Sequence, residues 1–185
     1  IAREFCDEVV VSIFVNPLQF DNKEDLAKYP RTPERDEELA RAAGATILWR
    51  PNYEDLYSVG FEKLSAGSVG ELFEGKSRPG HFDGVVTVVN RLFDLVQPRY
   101  AIFGEKDFQQ LFIIKERVRK NQIPVEIISA PLIRDSDGLA LSSRNIRLDV
   151  HARKAALVIS KALFAAAVSV TPEATMLEIL SGEPL

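Results

Sequence analysis

Three segments of the chain bring together side chains that can bind a carboxylate or a phosphate. The first, residues 16–20, reads Asn-Pro-Leu-Gln-Phe. The amides of Asn16 and Gln19 each offer a donor and an acceptor, which suits the hydroxyl and carboxylate groups of a small ligand. A well-made turn whose Asn and Gln bind the local backbone explains the same residues, and from spacing alone that structural role is the more frequent one.

The second segment, residues 104–107, reads Gly-Glu-Lys-Asp and lies between a predicted strand and a predicted helix. Gly104 allows a ligand close to the backbone, the helix N-terminus favours an anion, and Lys106 adds a positive charge. Asp107 can cap the helix. The pattern predicts a phosphate site, although it lacks the spacing of a Walker loop, and a capped surface loop explains it equally well.

The third segment, residues 141–145, reads Leu-Ser-Ser-Arg-Asn and follows a turn at residues 135–138. Two adjacent hydroxyls, of Ser142 and Ser143, and the guanidinium of Arg144 can form several directional bonds to phosphate oxygens. The glycine of the preceding turn would let this loop close over a nucleotide. The alternative is an N-capped turn with a solvated arginine.

A fourth segment, residues 74–82, is basic and glycine-rich and carries His81, one of two histidines. A loop histidine ahead of a helix is more often structural than catalytic, so its role stays open. No paired histidines occur, and the single cysteine excludes a zinc ribbon. Acidic residues around Asp36 fit a solvated helix face better than a magnesium site.

Composition restricts the class of protein. The 185 residues, 46% hydrophobic and 27% charged, suit one α/β domain with a small extension. A net charge of −4 disfavours nucleic acid as a partner, and no apolar run approaches the roughly 20 residues needed to span a membrane. A lone cysteine, Cys6, permits no intrachain disulfide and fits a cytoplasmic location.

The elements that would position these segments alternate between strands and helices. Residues 9–15 form an apolar run without alternation, which predicts a strand buried on both faces. Further strands are predicted at 46–48, 100–103 and 124–129, and helices at 84–96, 108–120 and 149–168. This order predicts an α/β fold with a Rossmann-like, doubly wound parallel sheet, whose ligands bind at the carboxyl ends of strands. A core over residues 1–132 and a second domain beginning at 133–185 are expected.

Five blocks of sequence resemble the pantothenate synthetase family, in the family's order and at its spacing. They are residues 12–20 (SIFVNPLQF), 29–32 (YPRT), 78–82 (RPGHF), 103–107 (FGEKD) with Gln109 and Gln110, and 137–145 (DGLALSSRN). The resemblance covers about residues 9–148 and continues more weakly beyond.

The resemblance implies a fold, an activity and partners. The fold would be Rossmann-like and related to nucleotidyltransferases, followed by the start of a smaller α+β lid domain. The activity would be an ATP-dependent ligation, with Mg²⁺ accompanying ATP. Pantoate would form a pantoyl adenylate with release of pyrophosphate, and β-alanine would then displace AMP to give pantothenate, a precursor of coenzyme A. The family enzyme is expected to be a cytoplasmic homodimer.

The resemblance also implies roles for individual residues. Gln19 and Gln110 match the two glutamines that hold pantoate, and Gln19 lies near the β-alanine site. Ile133 matches a position beside the adenine, and Leu141 stands where many members have Met. The remaining implied ATP-binding residues belong to the ATP loop and to the mobile phosphate-binding motif: Gly104, Glu105, Lys106, Asp107, Ser142, Ser143 and Arg144. Four of them, Lys106, Ser142, Ser143 and Arg144, are also the catalytic candidates.

One departure from the family pattern concerns catalysis. The family's His-x-Gly-His motif, which binds the triphosphate, has no counterpart in these 185 residues. The chain is therefore expected to be a fragment with little ligase activity of its own. A non-catalytic binding or dimerisation module is the alternative. An adenylyltransferase for another acid ranks last, because it predicts loss of the Gln19 and Gln110 pair.

Overall fold

Four short strands pair in parallel in the computed structural model, which describes residues 1–20 and 22–182. Strands β1 (Val10–Ser12) and β2 (Ile47–Trp49) form one two-stranded sheet, and β3 (Tyr100–Gly104) and β4 (Glu126–Ala130) form the other. Parallel neighbours need a crossover connection, which is usually helical. Helical segments separate the strands of both pairs, so the predicted α/β class with parallel strands is confirmed.

The helices of the described residues include all those that the hydrophobic periodicity predicts. The short 3₁₀ helices are Pro17–Gln19, Ser68–Glu71, Glu105–Asp107 and Ser143–Arg147. The α-helices are α1 (Ala2–Phe5), α2 (Lys23–Ala27), α3 (Pro33–Ala42), α4 (Tyr53–Leu56), α5 (Glu74–Ser77), α6 (His81–Val96), α7 (Phe108–Asn121), α8 (Val150–Ala167) and α9 (Pro172–Ser181). No helix within residues 1–20 and 22–182 combines the length and apolar character that crossing a membrane requires.

The prediction that residues 9–15 form a strand buried on both faces is wrong in this chain. Strand β1 covers three residues, Val10 is 37% exposed, and Ser12 is also exposed. An unbroken β-branched run predicts two-sided burial only when layers cover both faces of the sheet. The described residues give β1 one pairing partner, β2, and leave much of its surface accessible.

The chain divides into two compact units, Ile1–Pro131 and Leu132–Leu185. The core of the first unit is built around α6, most of whose apolar side chains are buried. The α6 side chains pack with residues of α4 and α7 and with Val125 ahead of β4. Buried members of this core are Leu56, Tyr57, Phe82, Val85, Val86, Val88, Val89, Phe93, Ile113, Ile114 and Val125.

The second unit begins with a tight antiparallel turn and continues into α8 and α9. An isolated bridge pairs Arg134 with Ala140, and Gly138 takes the positive φ of 95° that the turn requires. Helix α8 begins after Asp149, whose carboxylate accepts a hydrogen bond of 2.8 Å from the amide of Ala152. On α8, Val158 and Ala162 are buried.

Candidate functional site

Gln19 ends a 3₁₀ turn, Pro17–Gln19, which is separated from β1 by residues 13–16. Pro17 stands at the first position of this turn, where its missing N–H costs nothing. Asn16 caps the turn, because its Oδ1 accepts a hydrogen bond of 3.2 Å from the amide of Leu18. The local sequence Asn-Pro-Leu-Gln therefore determines where the Gln19 side chain begins.

Asn16 is a structural residue of this turn. It is 1% exposed, its Nδ2 donates to the carbonyl of Gly84 at 3.0 Å, and its Oδ1 also accepts from the hydroxyl of Tyr57 at 2.9 Å. Burial raises the pKa of the Tyr57 phenol, so this hydroxyl stays protonated at neutral pH. Of the two roles that the sequence left open for Asn16, the structure shows the backbone-binding one.

Helix α6 approaches the turn so closely that only glycine fits at residue 84. A Cβ added to Gly84 would lie 2.3 Å from the carbonyl oxygen of Leu18 and 2.7 Å from the amide nitrogen of Gln19. Both contacts are with backbone, which a side-chain rotation cannot relieve. The backbone of Gln19 is thus packed directly against the first turns of α6.

His81 and Arg78 bind the main-chain carbonyl of Gln19. The Nδ1 atom of His81 lies 2.7 Å from this oxygen, and Nη2 of Arg78 donates to it at 3.3 Å. Since a carbonyl only accepts, Nδ1 of His81 carries the proton in this contact. His81 is buried and is the first residue of α6, so it does not lie in a loop ahead of the helix; in this position its side chain holds the turn at Gln19.

The Gly104–Asp107 loop places a lysine at the exposed end of β3. A Cβ added to Gly104 would lie in open space, and the side chain of Lys106 is 40% exposed. The Nζ of Lys106 lies 3.1 Å from Oδ1 of Asp107. Asp107 stands at the N-cap position of α7, but its side chain forms no capping hydrogen bond and accepts from Lys106 instead.

The neighbouring glutamines of α7 have different tasks. Gln109 donates to the carbonyls of Val69 and Leu72 at 2.9 and 2.8 Å and accepts from the amide of Glu74 at 3.1 Å. The side chain of Gln110 forms no hydrogen bond with any residue among 1–20 and 22–182. The side chains of adjacent residues on a helix point in directions about 100° apart, which predicts that only one of the two glutamines can face a cleft. The three hydrogen bonds show that Gln109 is the one with a structural role.

In the second unit, the Ser142–Arg144 motif follows the antiparallel turn and is partly or fully exposed. Leu141 donates its amide to the carbonyl of Ile133 at 3.0 Å, and Ile133 itself is 58% exposed. Ser142 caps the 3₁₀ helix Ser143–Arg147, since its Oγ accepts from the amide of Arg144 at 3.2 Å. Ser143 and Arg144 lie on the surface of this unit.

Arg153 on α8 holds the turn that precedes this motif, a contact that the sequence did not reveal. Its Nε donates to Asp137 at 2.8 Å and its Nη2 to Asp135 at 2.7 Å. The amide of Leu139, and then Arg153, lower the pKa of Asp137. The signal in the sequence is only that two aspartates precede an arginine on the next helix, which many surfaces share.

The predicted residues therefore fall into local groups. Gln19, Arg78 and His81 meet in the first unit, as do Lys106 and Asp107, while Ile133 and Leu141 meet in the second. Over residues 1–20 and 22–182, no group of three or more His, Cys, Asp or Glu side chains could hold a metal ion.

Comparison with known proteins identifies the family. The family model described as pantoate-beta-alanine ligase matches residues 1–182. The chain belongs to this family. A pantothenate synthetase of Stenotrophomonas maltophilia (strain R551-3) is 49% identical over 166 residues, which cover 88% of this chain and 60% of that protein. A pantothenate synthetase of Rhizobium etli is 47% identical over 193 residues, which cover all of this chain and 65% of that protein.

Solved structures of pantoate–β-alanine ligases share the fold. The pantothenate synthetase of Thermus thermophilus superposes with a TM-score of 0.92 at 46% identity, covering 99% of this chain and 70% of that one. A pantoate-beta-alanine ligase of Francisella tularensis, solved with beta-gamma ATP and beta-alanine, has a TM-score of 0.85 at 36% identity, covering 97% and 69%. The chain spans 60–65% of the length of the two curated relatives above.

Proposed function

We propose that the protein containing this chain is an ATP-dependent ligase that joins pantoate to β-alanine. The observation that carries the proposal is the match of the pantoate–β-alanine ligase model to residues 1–182. The Francisella tularensis relative, solved with beta-gamma ATP and beta-alanine, supports the choice of two of the three substrates. The product would be pantothenate, which serves the biosynthesis of coenzyme A.

The reaction would proceed in two steps that need little acid–base chemistry. A carboxylate oxygen of pantoate attacks the α-phosphorus of ATP, and the bond to pyrophosphate breaks. The amine of β-alanine then attacks the carbonyl carbon of pantoyl adenylate, AMP leaves, and the ammonium proton passes to solvent. Because a carboxylate is already a nucleophile, positioning and charge stabilisation supply most of the rate.

In the first unit, we assign pantoate to Gln19 and Gln110, β-alanine to Gln19, and ATP to the Gly104–Asp107 loop. The structure around Gln19 supports this role. Its amide nitrogen packs against α6 and its carbonyl oxygen binds His81, while the residue is only partly buried. The role of Gln110 is supported because the neighbouring Gln109, and not Gln110, binds the carbonyls of Val69 and Leu72. Lys106 would stabilise the negative charge that grows on the phosphates.

In the second unit, we assign ATP to Ile133 and Leu141 and to the Ser142–Arg144 motif. Exposed apolar side chains at Ile133 and Leu141 suit contact with a flat adenine ring, and the hydroxyls and guanidinium suit phosphate oxygens. Mg²⁺ prefers to keep waters and to bind through substrate phosphates. The described residues offer no metal cluster of their own, so no catalytic step is assigned to a protein-held ion.

The test measures AMP release that depends on β-alanine in the complete protein. Lys106→Ala and Arg144→Ala should each slow formation of pantoyl adenylate by about 100-fold, the size expected when one group that stabilises transition-state charge is lost. Lys120→Ala is the matched control, because the ion pair of Lys120 with Glu116, at 3.8 Å, lies on the surface of α7. Unchanged adenylation in both variants would remove the assignment.

A non-catalytic binding module that retains the fold is the second candidate. The same assay separates the two, since such a module binds pantoate without releasing AMP. A homodimeric assembly and a cytoplasmic location, both implied by the resemblance, remain proposals, and sedimentation equilibrium tests the first.

A further inference from the structure

We propose that Tyr57 and Asn16 are positioning residues that fix the Gln19 side-chain amide, so that Gln19 presents its NH₂ group to the substrate. The inference rests on the proposed function, because it takes pantoate as the ligand of Gln19. It adds two residues and a direction of hydrogen bonding to that site. The contacts concerned all lie inside the first unit.

The orientation of the Asn16 amide is determined by two backbone groups. Its Oδ1 lies 3.2 Å from the amide of Leu18, which can only donate, and its Nδ2 lies 3.0 Å from the carbonyl of Gly84, which can only accept. Exchanging the two ends of the amide would set donor against donor and acceptor against acceptor. At 1% exposure no bulk water can compensate, so these two bonds favour one orientation.

Tyr57 strengthens the same orientation. Its hydroxyl lies 2.9 Å from Oδ1 of Asn16, and because that oxygen only accepts, the hydroxyl must donate. Tyr57 is 4% exposed, and burial raises the pKa of its phenol, so the proton stays on the hydroxyl at neutral pH. Hydrogen bonds that share one buried acceptor group are restrained together by the same packing.

The orientation of the Asn16 amide determines the orientation of the Gln19 amide. The second hydrogen of the Asn16 Nδ2 group points to Oε1 of Gln19 at 3.3 Å. Oε1 of Gln19 is thereby an acceptor for the protein, and the Nε2 group forms no hydrogen bond within residues 1–20 and 22–182. The two N–H bonds of Nε2 are therefore the part of the side chain that remains for a ligand.

A ligand atom facing Gln19 must then be a hydrogen-bond acceptor. The carboxylate and hydroxyl oxygens of pantoate satisfy this requirement. An ammonium group does not, because it would bring N–H donors against N–H donors. Where Gln19 touches β-alanine, it would bind the carboxylate of β-alanine and not the amine. The amine then stays available for attack on the adenylate.

The test is a double-mutant cycle on pantoate affinity, measured by titration calorimetry with the complete protein. Gln19→Leu should weaken binding about tenfold or more, and Tyr57→Phe about fivefold, the worth of one net hydrogen bond. In the Gln19→Leu background, Tyr57→Phe should have no further effect, because its influence passes through Gln19. Equal factors in both backgrounds would show a merely structural role and overturn the inference.

Tyr53→Phe is the matched control. Tyr53 is the first residue of α4, four residues before Tyr57, and the two ring centroids are 4.8 Å apart, but its hydroxyl makes no hydrogen bond with the described residues. The control should leave pantoate affinity unchanged. Tyr57→Phe should fold, because Oδ1 of Asn16 keeps the amide of Leu18 as a donor, and thermal unfolding checks this.

A second measurement needs no folded Tyr57 variant. The Nε2 resonance of Gln19 can be assigned by its loss in Gln19→Leu, and pantoate should shift its protons downfield as they donate. A resonance that pantoate leaves unmoved would overturn the inference. Failure of the proposed function is a separate result, namely a wild-type protein without β-alanine-dependent AMP release.

Discussion

The turn at Gln19 and the motif at Ser142 begin with the same local device but are held by different forces. In each, a polar side chain caps a 3₁₀ helix by accepting from the amide two residues on, at 3.2 Å in both cases. The turn at Gln19 is supported by buried hydrogen bonds between neutral groups and by direct packing of its backbone on α6. The second is supported by the partly exposed ion pairs of Arg153 with Asp135 and Asp137. The same local cap is therefore supported by packing and buried hydrogen bonds at Gln19 and by ion pairs at Ser142.

The largest effect is expected where the first turn depends on backbone packing. Gly84→Ala gains about 1 kcal/mol of helix propensity but places a Cβ 2.3 Å from the Leu18 carbonyl oxygen. Overpacking against backbone should outweigh that gain, so we expect a net loss of about 2 kcal/mol in the free energy of unfolding, measured in urea.

Gly104→Ala is the matched control for this variant. Gly104 has a φ of −75° and open space where a Cβ would lie, so its substitution should change stability by less than about 0.5 kcal/mol. A Gly84→Ala variant as stable as this control would mean that α6 can move away from the turn, and the contrast between the two regions would lose its basis.

A smaller, salt-dependent effect is expected in the second unit. Arg153→Gln removes both ion pairs, so the amides of Asp135 and Leu141, which bind within the antiparallel turn, should exchange faster with solvent. Adding salt to about 1 M should bring the wild-type protein towards the variant, because exposed charges are screened. The amide of Leu18 should exchange equally in low and high salt.

Arg119→Gln is the control for that experiment, since it removes an exposed ion pair with Glu116 on α7. It should leave exchange in the antiparallel turn unchanged. Exchange at Asp135 and Leu141 that is insensitive to both Arg153→Gln and salt would show that the turn needs no ionic support.

The smallest effect concerns acid pH. The amide of Leu139, with help from Arg153, lowers the pKa of Asp137 below its ordinary value of 3.8. A carboxyl with a lowered pKa stabilises the fold above its unfolded pKa, and this contribution is lost as the pH falls through its folded pKa. Protection of the Leu139 amide, which binds Oδ1 of Asp137, should be constant from neutral pH to about 4 and decline below.

Titration of the Asp137 carboxyl carbon by NMR, together with exchange of the Leu139 amide, checks this expectation. Asp137→Asn should abolish the decline in protection. If the carboxyl titrated at or above its ordinary value, the Leu139 contact would not form in solution.

The sequence predicts the elements well where a hydrophobic period extends over several turns. Helix α7 is expected at residues 108–120 and occurs at Phe108–Asn121, and α8 is expected at 149–168 and occurs at Val150–Ala167. The extent and burial of β1 are not predictable, because both depend on which layers cover the strand. Its residue types alone favour a longer, buried strand.

The site is predictable in its local chemistry but not in its long-range support. The cap at Asn16 and the candidate role of Gln19 follow from adjacent residues. The partners that hold them, Tyr57 and Gly84, lie 41 and 68 positions from Asn16, and no pattern in the sequence joins them. Which of Gln109 and Gln110 faces inward likewise depends on the carbonyls of a distant loop.

The close contact at Gly84 has a consequence for reading mutational scans of this family. A scan scored by growth would rank position 84 among the most intolerant, beside residues that touch substrate, although its nearest neighbours at that contact are backbone atoms. Scoring protein abundance in parallel would separate the two classes, since substitutions at Gly84 should deplete the folded protein while those at Lys106 should leave its amount intact.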